Sequence, residues 1–217
     1  MSDDIVIRPF EPKDRQQVRS ICADTADKGR PVENFFYDRE IFADLLTRYY
    51  TDLDPGSLWV AVKGEEVAGY LMGCLDTRRF NGIMLWKITP KEFIRAIFRG
   101  VFLRRQTWRL VGMMLGSLRF GGFKRKIDLD MYPAHLHIDL KDGFRGQGIG
   151  RMLMEKFITQ AKEKKVRGVH LTVRGDNFSA CRFFENNGFK VLSRHPMLMP
   201  DGGSFIKSST VVFGKIL

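Results

Sequence analysis

Cysteine is scarce in this chain, and the three that it has form no reactive or metal-binding pair. Cys22, Cys74 and Cys181 are irregularly spaced, so the sequence contains no Cys-x-x-Cys unit for zinc binding or dithiol exchange. Cys22 and Cys181 fall in apolar helical patterns, where we expect small buried side chains. The four histidines, at positions 135, 137, 170 and 195, do not form a metal-binding set, and we predict no metal.

Long apolar runs are absent as well. Arginines interrupt every apolar stretch before it reaches the roughly 18 residues that a membrane-spanning helix needs. The first four residues, Met1–Asp4, are acidic and lack the apolar centre of a secretory signal. We therefore expect a soluble, cytoplasmic protein.

The most informative segment is a glycine-rich loop that follows an alternating, strand-like run. The run His135–Leu140 leads to Arg145–Gly150, and a helical pattern follows at once. Free amides and the positive dipole end at a helix start bind phosphate, and glycines let the anion approach the backbone. The segment is not a nucleotide P-loop, because no Gly-Lys-Ser/Thr sequence ends it. It is not a dinucleotide fingerprint either, because Arg151 occupies the position of the third glycine.

A second segment strengthens the interpretation of this loop. After a strand-like run at Gly168–Val173, the stretch Asn177–Phe189 reads as a helix that Asp176 or Asn177 caps and Gly188 ends. Arg-x-x-Gly-x-Gly at 145–150, with this later Asn-x-x-Ala, aromatic pair and Gly-Phe, resembles the GCN5-related N-acetyltransferases (GNAT). The resemblance implies acetyl-coenzyme A (acetyl-CoA) as co-substrate, contacted by Ile138, Leu140, Arg145, Gly146, Gln147, Gly148, Ile149, Gly150, Asn177 and Phe184.

Two shorter phrases point within that family. Tyr132–Asp139 and Ile7-Arg8-Pro9 resemble bacterial relatives of the acetyltransferase-like C-terminal domain of O-GlcNAcase, whose animal form is regarded as a pseudo-acetyltransferase. The chain also departs from the family pattern twice. Phe184 stands where many members have a tyrosine that protonates the departing thiolate, and Ala134 stands where some relatives carry a catalytic glutamate. A non-catalytic module that binds coenzyme A (CoA) is therefore an alternative to an enzyme.

The candidate base comes from the strand in front of the loop. Side chains alternate along a strand, so His137 and Asp139 share one face with His135. Histidine titrates near neutral pH, which suits a group that takes a proton from an attacking amine, directly or through water. The resemblance implies that backbone amides near Ile138 and Leu140 seat the thioester. We expect direct acetyl transfer to a primary amine of a small molecule or peptide, with His137 and Asp139 as catalytic candidates.

The remaining patterns fit one α/β domain over residues 1–217. The family resemblance implies a mixed, mostly antiparallel sheet flanked by helices. We predict strands at 5–10, 58–62, 67–72 and 209–217, and helices at 12–26 and 38–50, besides the segments already named. We also predict a basic helical insertion, residues 80–130, between the third and fourth strands.

That insertion carries nearly all of the excess charge. Lys87–Lys126 contains eleven basic residues and one acid, Glu92, in a chain whose net charge is +11. We expect a helix at Pro90–Arg99, capped by Thr89, and a second helix at Leu110–Leu115. Apolar residues recur at helical spacing in the first of these, with arginines on another face: Phe93, Ile94, Ile97, Phe98, Val101 and Phe102.

Four roles for the insertion stay open. In the first, it covers the domain or, in a homodimer, a second subunit, and its arginines are solvated. In the second, it forms a lid that recruits an acidic acceptor or helps to hold CoA phosphates. In the third, it lies on an anionic membrane surface. In the fourth, it binds nucleic acid, although no recognised nucleic-acid motif accompanies the charge.

Overall fold

The fold is taken from a computed structural model that describes residues 4–119, 127–201 and 204–217. Its longer elements follow one another along the chain as β1 (Val6–Pro9), α1 (Arg15–Asp24), α2 (Arg39–Arg48), β2 (Leu58–Lys63), β3 (Glu66–Cys74), α3 (Thr77–Ile83), α4 (Thr89–Phe98), α5 (Arg105–Arg119), β4 (Ala134–Leu140), α6 (Ile149–Glu163), β5 (Gly168–Arg174), α7 (Phe178–Asn186), β6 (Lys190–Asp201) and β7 (Ser204–Ile216).

The seven strands form one mixed sheet in the order β1-β2-β3-β4-β5-β7-β6. Neighbouring strands are antiparallel except β4 and β5, which run parallel. These two pair at Ala134 with Val169 and at His135 with His170. Beyond those positions the ladder between them ends, which opens a wedge in the middle of the sheet. The predicted fold class, a mostly antiparallel sheet with flanking helices, is confirmed.

Alternation along the strands places two cores on opposite faces of the sheet. On one face Phe157 of α6 is fully buried with Ala61 and Leu71. On the other face Tyr70 of β3 is buried with Val18 of α1 and with residues of β2. The sheet is therefore held from both sides, and the wedge between β4 and β5 opens inside a rigid frame.

The strands and helices predicted outside the basic segment agree with the structure, with one omission. Strand β6 was not predicted, because Pro196 and Pro200 interrupt its pattern. The strand pairs with β7 alone, at the edge of the sheet, where a residue without a backbone N–H is tolerated. Cys22 and Cys181 are buried, as expected.

In the described part of the segment between β3 and β4, where the basic insertion was predicted, three α-helices lie. Helix α4 agrees with the first expected helix, α5 contains the second and is longer at both ends, and α3 was not foreseen. The prediction that Thr89 caps α4 was wrong: the chain is already helical at Met84–Ile88, so Thr89 is the first residue of α4 and needs no side-chain cap. The bounds 80–130 stay a prediction, since Lys124, Arg125 and Lys126 lie outside the described residues.

None of the helices in the described ranges is long and apolar enough to pass through a bilayer.

Candidate active site

A cavity of about 600 Å³ occupies the wedge between β4 and β5. Its walls come from β4, the glycine loop, the start of α6, the end of β5, and α7. Residues around the end of α1, with Phe42 and Leu46 of α2, close the remaining side. The cavity is therefore lined by the segments that the sequence predicted to carry the chemistry, and also by a helical wall that the sequence did not predict.

The glycine loop has a backbone that requires glycine. Gly146 and Gly148 have φ angles of +77° and +79°, in the left-handed region that L side chains rarely adopt. No atom lies within 4 Å of a Cβ placed on either residue, so the space beside the loop is open. Gly148 is the N-cap of α6, whose first-turn amides point out of the helix end. An open cradle at the start of a 15-residue helix fits a pyrophosphate.

The two long polar side chains of the loop, Arg145 and Gln147, lie in different places. Arg145 lines the cavity, forms a 2.7 Å ion pair with Asp142, and reaches the backbone of Gly29, where an added Cβ would lie 2.8 Å from its guanidinium. Gln147 does not line the cavity; its side-chain amide donates to the Gly143 carbonyl over 2.9 Å. The other nine residues expected to contact acetyl-CoA all line the cavity.

Helix α7 ends the cavity on the β5 side. Asn177 caps it, since its side-chain oxygen accepts from the amide of Ala180 at 3.2 Å. Asp176, the other candidate cap, pairs instead with Arg174 and Lys28, which hold its pKa well below the usual range against the opposing effect of burial. Phe184 is 5% exposed and packs against Phe183, in ring contact at 5.2 Å. It has no hydroxyl to offer at the tyrosine position.

The ionisable side chains at the cavity belong to a hydrogen-bonded set of three, two from β4 and one from β3. His137 Nε2 lies 2.9 Å from Asp139 Oδ2, and the Tyr70 hydroxyl donates to the same oxygen over 2.7 Å. Burial lowers the pKa of His137, but the Asp139 charge and hydrogen bond outweigh it and raise that pKa above its ordinary value. Burial, with the Asp139 charge, raises the pKa of Tyr70 well above its ordinary value, so Tyr70 stays protonated.

His135 shares this face of β4 but has a different environment. It lies between the Tyr50 hydroxyl, 2.8 Å from Nε2, and the Thr77 hydroxyl, 2.8 Å from Nδ1. Burial, reinforced by the nearby His170 and His137, lowers its pKa to about 3. His135 is therefore neutral and held in place, whereas His137 and Asp139 line the cavity.

Sequence reasoning missed Tyr70 and the wall formed after α1. Tyr70 lies directly opposite Asp139 in the β3–β4 ladder, a register that neither strand reveals alone. Lys28 and Gly29 have positive φ angles, and the Lys28 ammonium lies 3.0 Å from Asp176 and 3.2 Å from Asp201. The glycine at 29 was the one local signal of this turn.

The chain is similar to known acetyltransferases over most of its length. A model of the acetyltransferase (GNAT) family matches residues 26–189. The crystal structure of SsHAT is 27% identical, covers 98% of both chains and superposes with a TM-score of 0.69. A protein from Salmonella typhimurium, solved with its cofactor acetyl-CoA, is 13% identical, covers 99% of this chain and 94% of its own, and has a TM-score of 0.59.

A third similar structure is an N-acetyltransferase from Staphylococcus aureus Mu50, 12% identical over 98% of both chains with a TM-score of 0.61. At such identities these last two show a shared fold. The family model, which matches well over half of the residues, carries the assignment. The chain therefore belongs to the GNAT family of acetyltransferases, which use acetyl-CoA as co-substrate.

Proposed function

We propose that this protein transfers the acetyl group of acetyl-CoA directly to a primary amine of a small molecule or peptide. The single observation that carries the proposal is the His137–Asp139 pair, which faces the cavity beside Ile138. An amine is protonated at neutral pH and cannot attack until it loses a proton. A cavity with an ionisable pair at this position supplies a group that can accept that proton.

Each member of the set has a separate role. His137 takes the proton, directly or through one water. Asp139 orients the imidazole and stabilises its charged form, while Tyr70 donates to Asp139 and keeps it in place. Tyr70 is a positioning residue, since it is fully buried and lines no part of the cavity.

The backbone of β4 supports the placement of the thioester. Beyond His135 this strand has no ladder partner on its β5 side, so its amides there open onto the cavity. Amides fixed by a strand are preorganised donors for an oxygen that gains negative charge. This geometry favours Ile138 and Leu140 as the residues whose backbone orients the acetyl carbonyl.

Departure of the thiol needs little help from the protein. The thiol of CoA has a pKa of about 8.5, so it leaves the thioester readily as a thiolate anion. Phe184 provides no proton, and the proposal requires none from it. We expect the chemistry to depend on the base more than on an acid.

The test is amine-dependent release of the CoA thiol, measured over a panel of primary amines and lysine-containing peptides. We expect release with wild type and a loss of about 10²-fold or more in His137→Gln. The matched control is His195→Gln, which changes a partly exposed histidine on β6, outside the cavity. Equal rates in both variants would remove His137 from the mechanism.

A non-catalytic CoA-binding module is the alternative, and two residues favour it. Ala134 is buried and paired with Val169, and Phe184 is packed in the core, so neither position carries an acid or base. This alternative predicts that acetyl-CoA binds while no amine in the panel releases thiol. That combination of results would replace the enzyme proposal.

A further inference from the structure

Helix α4 is docked on the protein by its charged side. Glu92 is 2% exposed and accepts from Arg48 at 2.7 Å and from Arg95 at 2.6 Å. Arg95 also binds Asp44, and Arg99 binds Asp38, both on or next to α2. Ion pairs thus fix the orientation of a helix that would otherwise be expected to bury its apolar stripe.

The apolar side of the same helix faces outward as a result. Phe98 is 86% exposed, and Phe93, Ile94 and Ile97 are each more than half exposed. Of the six apolar residues that recur at helical spacing in this segment, Val101 alone is fully buried, and Phe102 is partly buried. Four large side chains on one helix face are left without cover from the described residues.

The exposed surface continues into the next helix. The Phe102 ring contacts Phe93 at 5.3 Å, and the Trp108 indole donates to the Phe102 carbonyl over 2.8 Å, which joins α4 to the start of α5. We call the exposed apolar set the α4–α5 face: Trp86, Phe93, Ile94, Ile97, Phe98, Leu103, Trp108, Leu115 and Leu118. Four aromatic rings and five aliphatic side chains, each more than half exposed, form the kind of large apolar surface that marks an interaction site.

Basic residues border this face. Besides the arginines in the ion pairs below α4, the exposed ones are Lys87, Lys91, Arg104, Arg105, Arg109 and Arg119. Between residues 77 and 119 the sequence has one acid, Glu92, and it is buried in the ion pairs below α4. The face therefore presents apolar and positive groups together, with no exposed negative group between those positions.

This charge pattern selects among possible occupants. A second copy related by a two-fold axis would bring the same positive border against itself, which opposes self-association. A nucleic acid would satisfy the arginines but leave Ile94, Ile97, Leu103 and Leu115 against a hydrated backbone. An anionic bilayer offers phosphate groups to the basic border and hydrocarbon to the apolar centre.

We propose that the α4–α5 face docks on an anionic membrane surface, with its apolar side chains at the headgroup–acyl boundary and its basic border on the phosphates. The two tryptophans of the face, at positions 86 and 108, suit this boundary. The protein would lie on the bilayer rather than cross it.

The test is co-sedimentation with vesicles of phosphatidylcholine alone and of phosphatidylcholine mixed with phosphatidylglycerol. We expect wild type to pellet with the anionic vesicles, to stay largely in solution with the neutral ones, and to be released by salt. Phe98→Ser/Leu103→Ser should lower partitioning more than about tenfold. Arg105→Gln/Arg109→Gln should lower it about fivefold for each charge removed.

The matched control is Val6→Ser/Ile216→Ser, which removes two half-exposed apolar side chains on strands β1 and β7 and should bind vesicles as wild type does. Thermal melting and acetyl-CoA binding show whether each variant is folded. The proposal is overturned if wild type ignores anionic vesicles or if Phe98→Ser/Leu103→Ser binds them unchanged. When wild type does not bind vesicles, either of two further results would also overturn the proposal. One is a dimer that Phe98→Ser/Leu103→Ser dissociates, and the other is an oligonucleotide complex that this variant abolishes.

Discussion

The proton affinity of His137 depends on one neighbour. Asp139 accepts hydrogen bonds from the Tyr70 hydroxyl and from the Nε2–H of His137 on the same carboxylate oxygen. It raises the pKa of His137, so the imidazole is a stronger base but is protonated over a wider pH range. In the proposed mechanism, Asp139 therefore sets the pH at which His137 becomes available as a base.

Replacing Asp139 by Asn gives a signed prediction. The folded pKa of His137 is raised by the carboxylate, so the neutral amide lets that pKa fall, and the base form appears at lower pH. We expect the acid limb of kcat/KM to move to lower pH, with a lower plateau because the base is weaker. The measurement is the pH profile of amine-dependent thiol release.

Tyr70→Phe is the control for that prediction. It removes the hydrogen bond to Asp139 but keeps the charge, so the carboxylate attracts the imidazole proton more strongly. The acid limb should then move slightly to higher pH, opposite to Asp139→Asn. If both variants moved the limb in the same direction, the assignment of the limb to His137 would be wrong.

At the scale of elements, the glycine loop and helix α4 each depend on a feature that composition alone does not show. The loop needs a left-handed backbone at two positions, and α4 needs buried ion pairs beneath it. Each requirement predicts a substitution whose effect differs from that of a chemically similar change elsewhere.

Gly146→Ala tests the loop. An added Cβ meets no atom within 4 Å, so a loss can come only from the φ of +77°. We expect a cost of about 1–2 kcal/mol in the free energy of unfolding, or a reshaped loop, with weaker acetyl-CoA binding in either case. Gly56→Ala is the comparison, because that position also has open space but an ordinary φ. Equal acetyl-CoA affinity in both variants would contradict this account of the loop.

Glu92→Gln tests the orientation of α4. The substitution removes the charge that accepts from both Arg48 and Arg95 in a buried contact, while Arg95 keeps Asp44 and Arg48 keeps Asp52. We expect a cost of about 2 kcal/mol of unfolding free energy. Phe98→Ser removes an exposed ring and should cost within about 0.5 kcal/mol. Denaturant titration of both variants measures the difference. The reverse order would mean that α4 buries its apolar side.

At the scale of the whole molecule, the sequence was most informative where local chemistry decides the structure. The glycine loop, the alternating strands and the Asn177 cap follow from backbone and side-chain preferences of a few adjacent residues. Tyr70 opposite Asp139 depends on the register between two strands. The outward face of α4 depends on Asp44 and Asp38, which lie 51 and 61 residues before the arginines that they bind. Partners so far apart leave no periodic signal.

The central claim is that acetyl-CoA binds in the wedge between β4 and β5, with its pyrophosphate on the glycine loop. The direct measurement is isothermal titration of acetyl-CoA into wild type and Gly148→Trp, with Gly56→Trp as a folded comparison outside the cavity. We predict submillimolar binding to wild type and Gly56→Trp, and none to Gly148→Trp. Binding that survives in a folded Gly148→Trp, or is absent from wild type, would contradict the claim.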